Sequence, residues 1–281
     1  MQNVSLFVTC LIDAFRPEAA KAAVRVLERR GCHVDFPEEQ TCCGQFSHNA
    51  GYRDEAAVLA KHWVEAFEDT KGPIVALSGS CAGMVIHSYP DLLYEWVLRH
   101  EGTEAEAQSW RVRAQSIADR VYELSQWLDK LDSSAPERAE SSDRVPFVYH
   151  LGCHMRRLMH ATTEATSLMG KTGVDLIEPE DADQCCGFGG TYSMAEPFVS
   201  TALADAKWDN IHARAQESEA WGLVGTDMGC LLHLQGRASR QRDSFPVLYL
   251  AELLDLVDEG QLTPDSVNQC GGWHNGRNSS R

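Results

Sequence analysis

Eight of the ten cysteines in this 281-residue chain fall into two matching series. Thirty-two positions separate Cys10 from Cys42, and thirty-two separate Cys153 from Cys185. Each step ends in Cys-Cys-Gly, as Cys42-Cys43-Gly44 and Cys185-Cys186-Gly187, and one more cysteine follows, Cys81 or Cys230. A thiolate is a soft ligand that favours zinc, copper(I) or iron–sulfur clusters. Four thiolates fill a tetrahedral zinc site or hold a [4Fe–4S] cube, one per iron. Structural zinc ribbons use Cys-x₂-Cys knuckles, which neither series contains. Adjacent cysteines are awkward around one small ion and reach different irons of a larger cluster more easily. Gly44 and Gly187 permit turns that aim backbone amides at the sulfurs, and such hydrogen bonds tune a cluster's potential. Burial as an inert thiol is the common fate of a lone cysteine. That reading suits Cys32 and Cys270, which belong to neither series.

Other polar residues cluster near these positions. His150 and His154 flank Cys153 and are candidates to donate hydrogen bonds to a cluster, relay a proton or contact a carboxylate; local satisfaction at a strand end explains them equally well. Arg156 and Arg157 suit bidentate carboxylate binding, although such a pair more often forms a solvated helix start. His48 and Asn49 follow the first Cys-Cys-Gly. Gly187-Phe188-Gly189-Gly190 lacks the G-x-G-x-x-G spacing and the lysine of a phosphate loop, and no nucleophile-elbow motif is present.

The elements that position the cysteines also repeat. The two series are offset by 143 positions until a small insertion late in the second, a distance that indicates domain duplication. Short apolar runs lead into four of the cysteines: Val4 to Thr9 before Cys10, Pro73 to Leu77 before Cys81, Pro146 to Leu151 before Cys153, and Trp221 to Gly225 before Cys230. Such runs suit buried parallel strands. Amphipathic helical stretches lie between them. Pro17 opens one, with Ala20, Ala23, Val24 and Leu27 on one face; Leu59, Trp63, Ala66 and Phe67 mark another. Alternating strands and helices imply an α/β fold: two tandem, pseudo-symmetric Cys-Cys-Gly units with small parallel sheets flanked by helices. Ligands in such sheets gather beyond the carboxyl ends of the strands, where the repeated cysteines fall. The expected organisation is a first unit over 1–132, a linker over 133–144, a second unit over 145–258 and a flexible tail over 259–281. A long helical pattern from about Trp110 to Leu131 is expected to close the first unit. The tryptophans read as core or interface anchors.

Composition narrows the functional classes. The chain is 43% hydrophobic and 23% charged, as expected of a folded globular protein rather than a disordered or collagenous one. A net charge of −16 argues against a general nucleic-acid binder. No run approaches the roughly 20 apolar residues of a transmembrane helix, and Met1 to Cys10 reads as a first strand rather than a signal peptide. A reducing, cytoplasmic setting is therefore expected, which favours metal or redox chemistry over disulfides.

These stretches together resemble the cysteine-rich CCG domain of the heterodisulfide reductase B subunit, the glycolate oxidase iron–sulfur subunit and the anaerobic glycerol-3-phosphate dehydrogenase C subunit. The chain is most similar to the lactate utilization protein A family. Val4-Ser5-Leu6-Phe7-Val8-Thr9-Cys10, Thr41-Cys42-Cys43-Gly44-Gln45, Ser78-Gly79-Ser80-Cys81, Tyr149-His150-Leu151-Gly152-Cys153-His154 and Cys185-Cys186-Gly187-Phe188-Gly189-Gly190-Thr191 carry the resemblance, which extends over nearly all of the first 255 residues. It implies an iron–sulfur electron-transfer subunit of a system that oxidises L-lactate to pyruvate. The implied partners are a larger iron–sulfur subunit with ferredoxin motifs and a third small subunit. One [4Fe–4S] cluster per half is the implied cofactor, with Cys10, Cys42, Cys43 and Cys81 holding the first and Cys153, Cys185, Cys186 and Cys230 the second. Relatives that end in Cys-x-x-Cys carry a fifth cysteine; here Met84 and His233 stand in its place. That departure weakens the alternative of a thiol/disulfide redox subunit. A zinc-holding structural module is the other alternative.

Overall fold

In the computed structural model, residues 2–132 and 144–272 are described. The first unit runs β1 (Gln2–Phe7), α1 (Cys10–Phe15), α2 (Pro17–Arg29), β2 (Cys32–Asp35), α3 (Gln45–Asn49), α4 (Arg53–Phe67), β3 (Ile74–Ala76), α5 (Gly79–Arg99), α6 (Glu104–Ala118), β4 (Val121–Glu123) and α7 (Leu124–Asp132). The second runs β5 (Val145–His150), α8 (Cys153–Arg157), α9 (Glu164–Gly170), β6 (Val174–Ile177), α10 (Tyr192–Ala195), α11 (Pro197–Ser218), β7 (Leu223–Gly225), α12 (Met228–Arg240), β8 (Val247–Tyr249), α13 (Leu250–Asp258) and α14 (Pro264–Gly271).

Each unit is a four-stranded parallel sheet flanked by helices, with order β2-β1-β3-β4 in one and β6-β5-β7-β8 in the other. The repeated order is the structural form of the sequence duplication. Central strands carry apolar side chains on both faces because helices cover both: Val4, Leu6 and Phe7 are buried on β1, and Phe147, Val148 and Tyr149 on β5. One core cluster joins Leu6 and Leu27 to Phe147 and Leu253 across the two units. A second, aromatic cluster lies within the first unit, where Trp63 stacks on Phe67 at 4.2 Å and meets Phe7 edge-on.

Helix α2 lies along α13, and charge complements that packing. Arg16 pairs with Glu252 at 2.7 Å, Arg29 with Asp255 at 2.6 Å and Arg30 with Asp258 at 2.6 Å. Burial alone would raise the Asp255 carboxyl, but hydrogen bonds from Arg25 and Arg29 outweigh it and hold the group below the usual carboxylate range.

Two expectations need correction. The helical pattern from Trp110 to Leu131 is interrupted by β4, because Val121 to Glu123 pair in parallel with Ile74 to Ala76. A three-residue strand leaves no periodicity to read; the sheet edge selects it. Within the stretch expected to be a flexible tail, residues 264–271 instead form α14. Thr263 caps it, accepting from the Ser266 N–H, and Pro264 occupies its first turn, where a missing N–H costs nothing. Val267 is buried, and the Gly271 carbonyl accepts from Gln235 Nε2 at 2.8 Å. Residues 273–281 and all of the proposed linker except Arg144 lie outside the described residues.

Glu123 ends β4 fully buried, with Ser125 donating to Oε2 through both its N–H and its hydroxyl and no partner for Oε1 among the described residues. Desolvation drives its pKa up to about 7. The folded state therefore holds a proton that the unfolded chain releases near pH 4.5. Stability is expected to fall as pH rises from about 4.5 to about 7, by up to about 3 kcal/mol. Glu123→Gln should flatten that slope; denaturant unfolding of both proteins at pH 5 and pH 8 checks it, and equal slopes would contradict it.

Candidate metal centre

The cysteines sit where strands hand over to helices. Cys10 opens α1 and Cys153 opens α8, just past β1 and β5; Cys81 and Cys230 lie in the first turns of α5 and α12, just past β3 and β7. The Cys-Cys pairs lie on the loops before α3 and α10. Each loop turns on a left-handed glycine, Gly44 at φ 78° and Gly187 at φ 85°. A β-carbon on Gly187 would lie 2.3 Å from the Ser200 carbonyl oxygen, and one on Gly44 would lie 3.1 Å from that of Ala56. Both glycines aim their N–H at the first sulfur of the pair: Gly44 at Cys42 Sγ, 3.5 Å, and Gly187 at Cys185 Sγ, 3.3 Å.

The fold brings the eight thiols into two quartets. In the first, Cys10 donates to Cys42 with the sulfurs 3.5 Å apart, and Cys42, Cys43 and Cys81 are near enough to shift one another's ionisation. In the second, Cys186 donates to Cys230 with the sulfurs 3.0 Å apart, and Cys153, Cys185 and Cys186 are near enough to shift one another's ionisation. Both quartets open onto one cleft of about 730 Å³ including its mouth. Cys42 is pushed well below the ordinary thiol range by the bond from Cys10, then by Cys43 and Gly44; Cys185 falls likewise through Cys153, Cys186 and Gly187. Cys10, Cys43, Cys153 and Cys186 are pushed up, first by their sulfur neighbours and then by burial. Sulfurs this close cannot all ionise unless a cation joins them. Four convergent soft donors with an amide aimed at one sulfur fit an iron–sulfur cluster or a thiolate-bound zinc.

The two histidines flanking Cys153 differ. Gln45 Nε2 donates to the Ser80 carbonyl at 3.0 Å, which identifies that atom as the amide nitrogen. Its other hydrogen faces His154 Nε2 at 3.0 Å. His154 therefore carries its proton on Nδ1, which lies 3.5 Å from Cys153 Sγ. His150 is buried, and neither ring nitrogen has a partner among the described residues. Its ligand atom lies within 4.8 Å of those of Cys186 and Cys230. Desolvation, then the nearby Lys207 charge, lowers its pKa to about 4, so the ring is neutral near pH 7.

The remaining candidates are accounted for elsewhere. Cys32 is a buried thiol, and Cys270 lies on α14, its carbonyl accepting from Arg16. Arg156 is paired with Glu178 and Arg157 with Asp183. His233 meets Ser200 Oγ at 3.1 Å, and Met84 is buried in the aromatic core. Asn49 lines the cleft.

Nothing in the sequence marks Asp227 as part of the site. It caps α12 by accepting from the Gly229 N–H, and its other oxygen accepts from Ser78 Oγ and the Ser80 N–H across the cleft, each at 3.0 Å. A cap residue after an apolar run is legible as such; its reach to the other unit is not. Phe46 and Phe188 close the same seam at 5.7 Å.

Gly187→Ala is expected to cost about 2–3 kcal/mol, because the left-handed backbone and the Ser200 carbonyl both oppose a β-carbon. Gly236→Ala, with open space at that position, should be neutral or slightly stabilising. Urea unfolding of the two variants checks this contrast; equal effects would contradict it.

Among the described residues, no helix is long and apolar enough to cross a membrane. Comparison with known proteins agrees with the duplicated architecture. The cysteine-rich domain model, CCG, matches residues 4–86 and again 147–235. Lactate utilization protein A of Geobacillus kaustophilus is 41% identical over 254 residues, covering 90% of this chain and 98% of that protein. The protein of that name from Halalkalibacterium halodurans is 38% identical over 254 residues, covering 90% of this chain and 96% of its own. A hypothetical protein from Helicobacter pylori shares the fold at TM-score 0.60 and 12% identity; the match covers 95% of this chain and 50% of that one. With its two Cys-Cys-Gly units matched by the domain model and its length matched by these relatives, the chain belongs to the cysteine-rich CCG-domain proteins, in the lactate utilization protein A family.

Proposed function

We propose that the chain is a cytoplasmic iron–sulfur electron-transfer subunit of a multi-protein system that oxidises L-lactate to pyruvate. The convergence of eight cysteines into two quartets on one cleft carries this reading. The names of the relatives supply the metabolic context. Cys10, Cys42, Cys43 and Cys81 would hold one [4Fe–4S] cluster, and Cys153, Cys185, Cys186 and Cys230 the other. Each cluster supplies one-electron chemistry when bound. The protein's part is to hold the sulfurs and direct donors at them: the Gly44 and Gly187 amides at Cys42 and Cys185, and the His154 imidazole at Cys153. The partners are a larger subunit with ferredoxin-type clusters and a third small subunit.

A second reading has one specific observation behind it. The close grouping of His150, Cys186 and Cys230 suits a single ion such as zinc in the second unit. Anaerobic purification followed by iron, sulfide and zinc analysis separates the two. The cluster reading expects several irons and sulfides per chain and absorption bleached by dithionite. It further expects bleaching by L-lactate once the partner subunits are added. Colourless protein with stoichiometric zinc after cluster loading would overturn it, and reoxidation driven by a small disulfide would favour thiol/disulfide chemistry instead.

A further inference from the structure

The two quartets share a backbone plan but rest on different floors. Phe7 and His150 each stand three residues before the first cysteine of their series. Their strand register agrees, Phe7 lying opposite Ala76 on β3 and His150 opposite Gly225 on β7. Leu11 and His154 each follow that first cysteine. Trp63 on α4 and Lys207 on α11 also correspond: the two turn glycines abut Ala56 and Ser200, and Trp63 and Lys207 lie seven residues beyond those contacts. In the first unit these positions make a dry floor, with Phe7 and Trp63 ring centroids 5.2 Å apart. In the second they hold two imidazoles and a fully buried lysine whose Nζ donates to the Asp181 and Ala182 carbonyls, each at 3.0 Å.

We propose that the two centres are unequal in redox terms, the one held by Cys153, Cys185, Cys186 and Cys230 being the more easily reduced because His150 and His154 donate N–H bonds to its sulfurs. The proposal rests on the cluster reading above. Reduction places one more negative charge on a centre and its sulfurs, and donors or a nearby cation stabilise that form. The backbone contributes a corresponding amide to each, Gly44 at 3.5 Å and Gly187 at 3.3 Å. The side chains do not correspond. His154 already points Nδ1 at Cys153 Sγ. His150 is a buried imidazole without a partner, and a buried polar group left unsatisfied points to a partner that the bound group supplies. With four thiols taking the four irons, the contact left to His150 is a hydrogen bond to sulfur. Asp227, the acidic side chain lining the cleft, acts on Cys153 and Cys230 and opposes this trend, while its oxygens are engaged by Ser78, Ser80 and Gly229.

Anaerobic potentiometric titration with dithionite, followed by electron paramagnetic resonance, tests this. Cys43→Ser isolates the second centre and Cys186→Ser the first. The second is expected to titrate at the higher potential, and the wild type in two separate steps. His150→Phe and His154→Leu install the first unit's own residues and should each lower the second midpoint at unchanged iron content. A tenfold shift in the reduced-to-oxidised ratio reads as about 59 mV for one electron. His150→Asn keeps an N–H and should recover part of the loss, which a packing role would not. A first centre at or above the second, or a second midpoint indifferent to both histidines, overturns the proposal while leaving the clusters in place. A chain that takes up no iron overturns the cluster reading itself.

Discussion

Cys43→Ser is expected to strip the iron from the first quartet and leave that of the second, and Cys186→Ser to do the reverse. Each should retain about half of the wild-type iron, because each quartet is completed by residues of its own unit. Cys43 and Cys186 are the buried members of their pairs, and the Cys186 sulfur lies 3.0 Å from that of Cys230. A serine oxygen is a harder and poorer ligand for iron, and neither spare cysteine lines the cleft: Cys32 begins β2 and Cys270 lies on α14. Cys32→Ser and Cys270→Ser should therefore leave iron unchanged. Iron and sulfide counts on anaerobically purified variants, with visible spectra, make the measurement. Equal loss in all four variants would contradict the division into quartets. If electrons must traverse both sites, either quartet variant should also abolish lactate-dependent bleaching with the partner subunits.

Asp227→Ala should cost about 3 kcal/mol of stability, the largest effect expected from a residue outside the quartets. Its carboxylate is 6% exposed and accepts from Gly229 N, Ser78 Oγ and Ser80 N. Removing it breaks one tie between the units and leaves buried donors without an acceptor, each costing about 1–3 kcal/mol unless water reaches it. The lost helix cap is part of the same total. Asp227→Asn should cost less, since its one carbonyl oxygen still accepts. Chemical denaturation checks both; a change below about 0.5 kcal/mol for the alanine variant would show that the brace carries no stability.

Much of the architecture was legible because duplication wrote it twice. The spacing from Cys10 to Cys42 and from Cys153 to Cys185 marked equivalent loops, and apolar runs before Cys10, Cys81, Cys153 and Cys230 marked four parallel strands. What escaped was either too short to have a period or set by distant pairing. Strands β4 and β8 have three residues each and exist because β3 and β7 offer them an edge. Helix α14 was hidden behind a composition that read as tail, although Thr263, Pro264 and Ser266 spell its start.

The chain itself determined the chemistry on offer: soft sulfur donors in two sets, each followed by a glycine that allows a left-handed turn. Residue type and local spacing suffice for that, since ligand softness and backbone freedom are local properties. Only the packing of one unit against the other decided that both quartets face a single cleft, that Gln45 sets the proton on His154, and that Asp227 joins the halves. Those contacts span more than a hundred positions and depend on how two sheets and their helices bury a common core. No periodicity along the chain encodes such a meeting; it follows from the apolar surface each unit must hide.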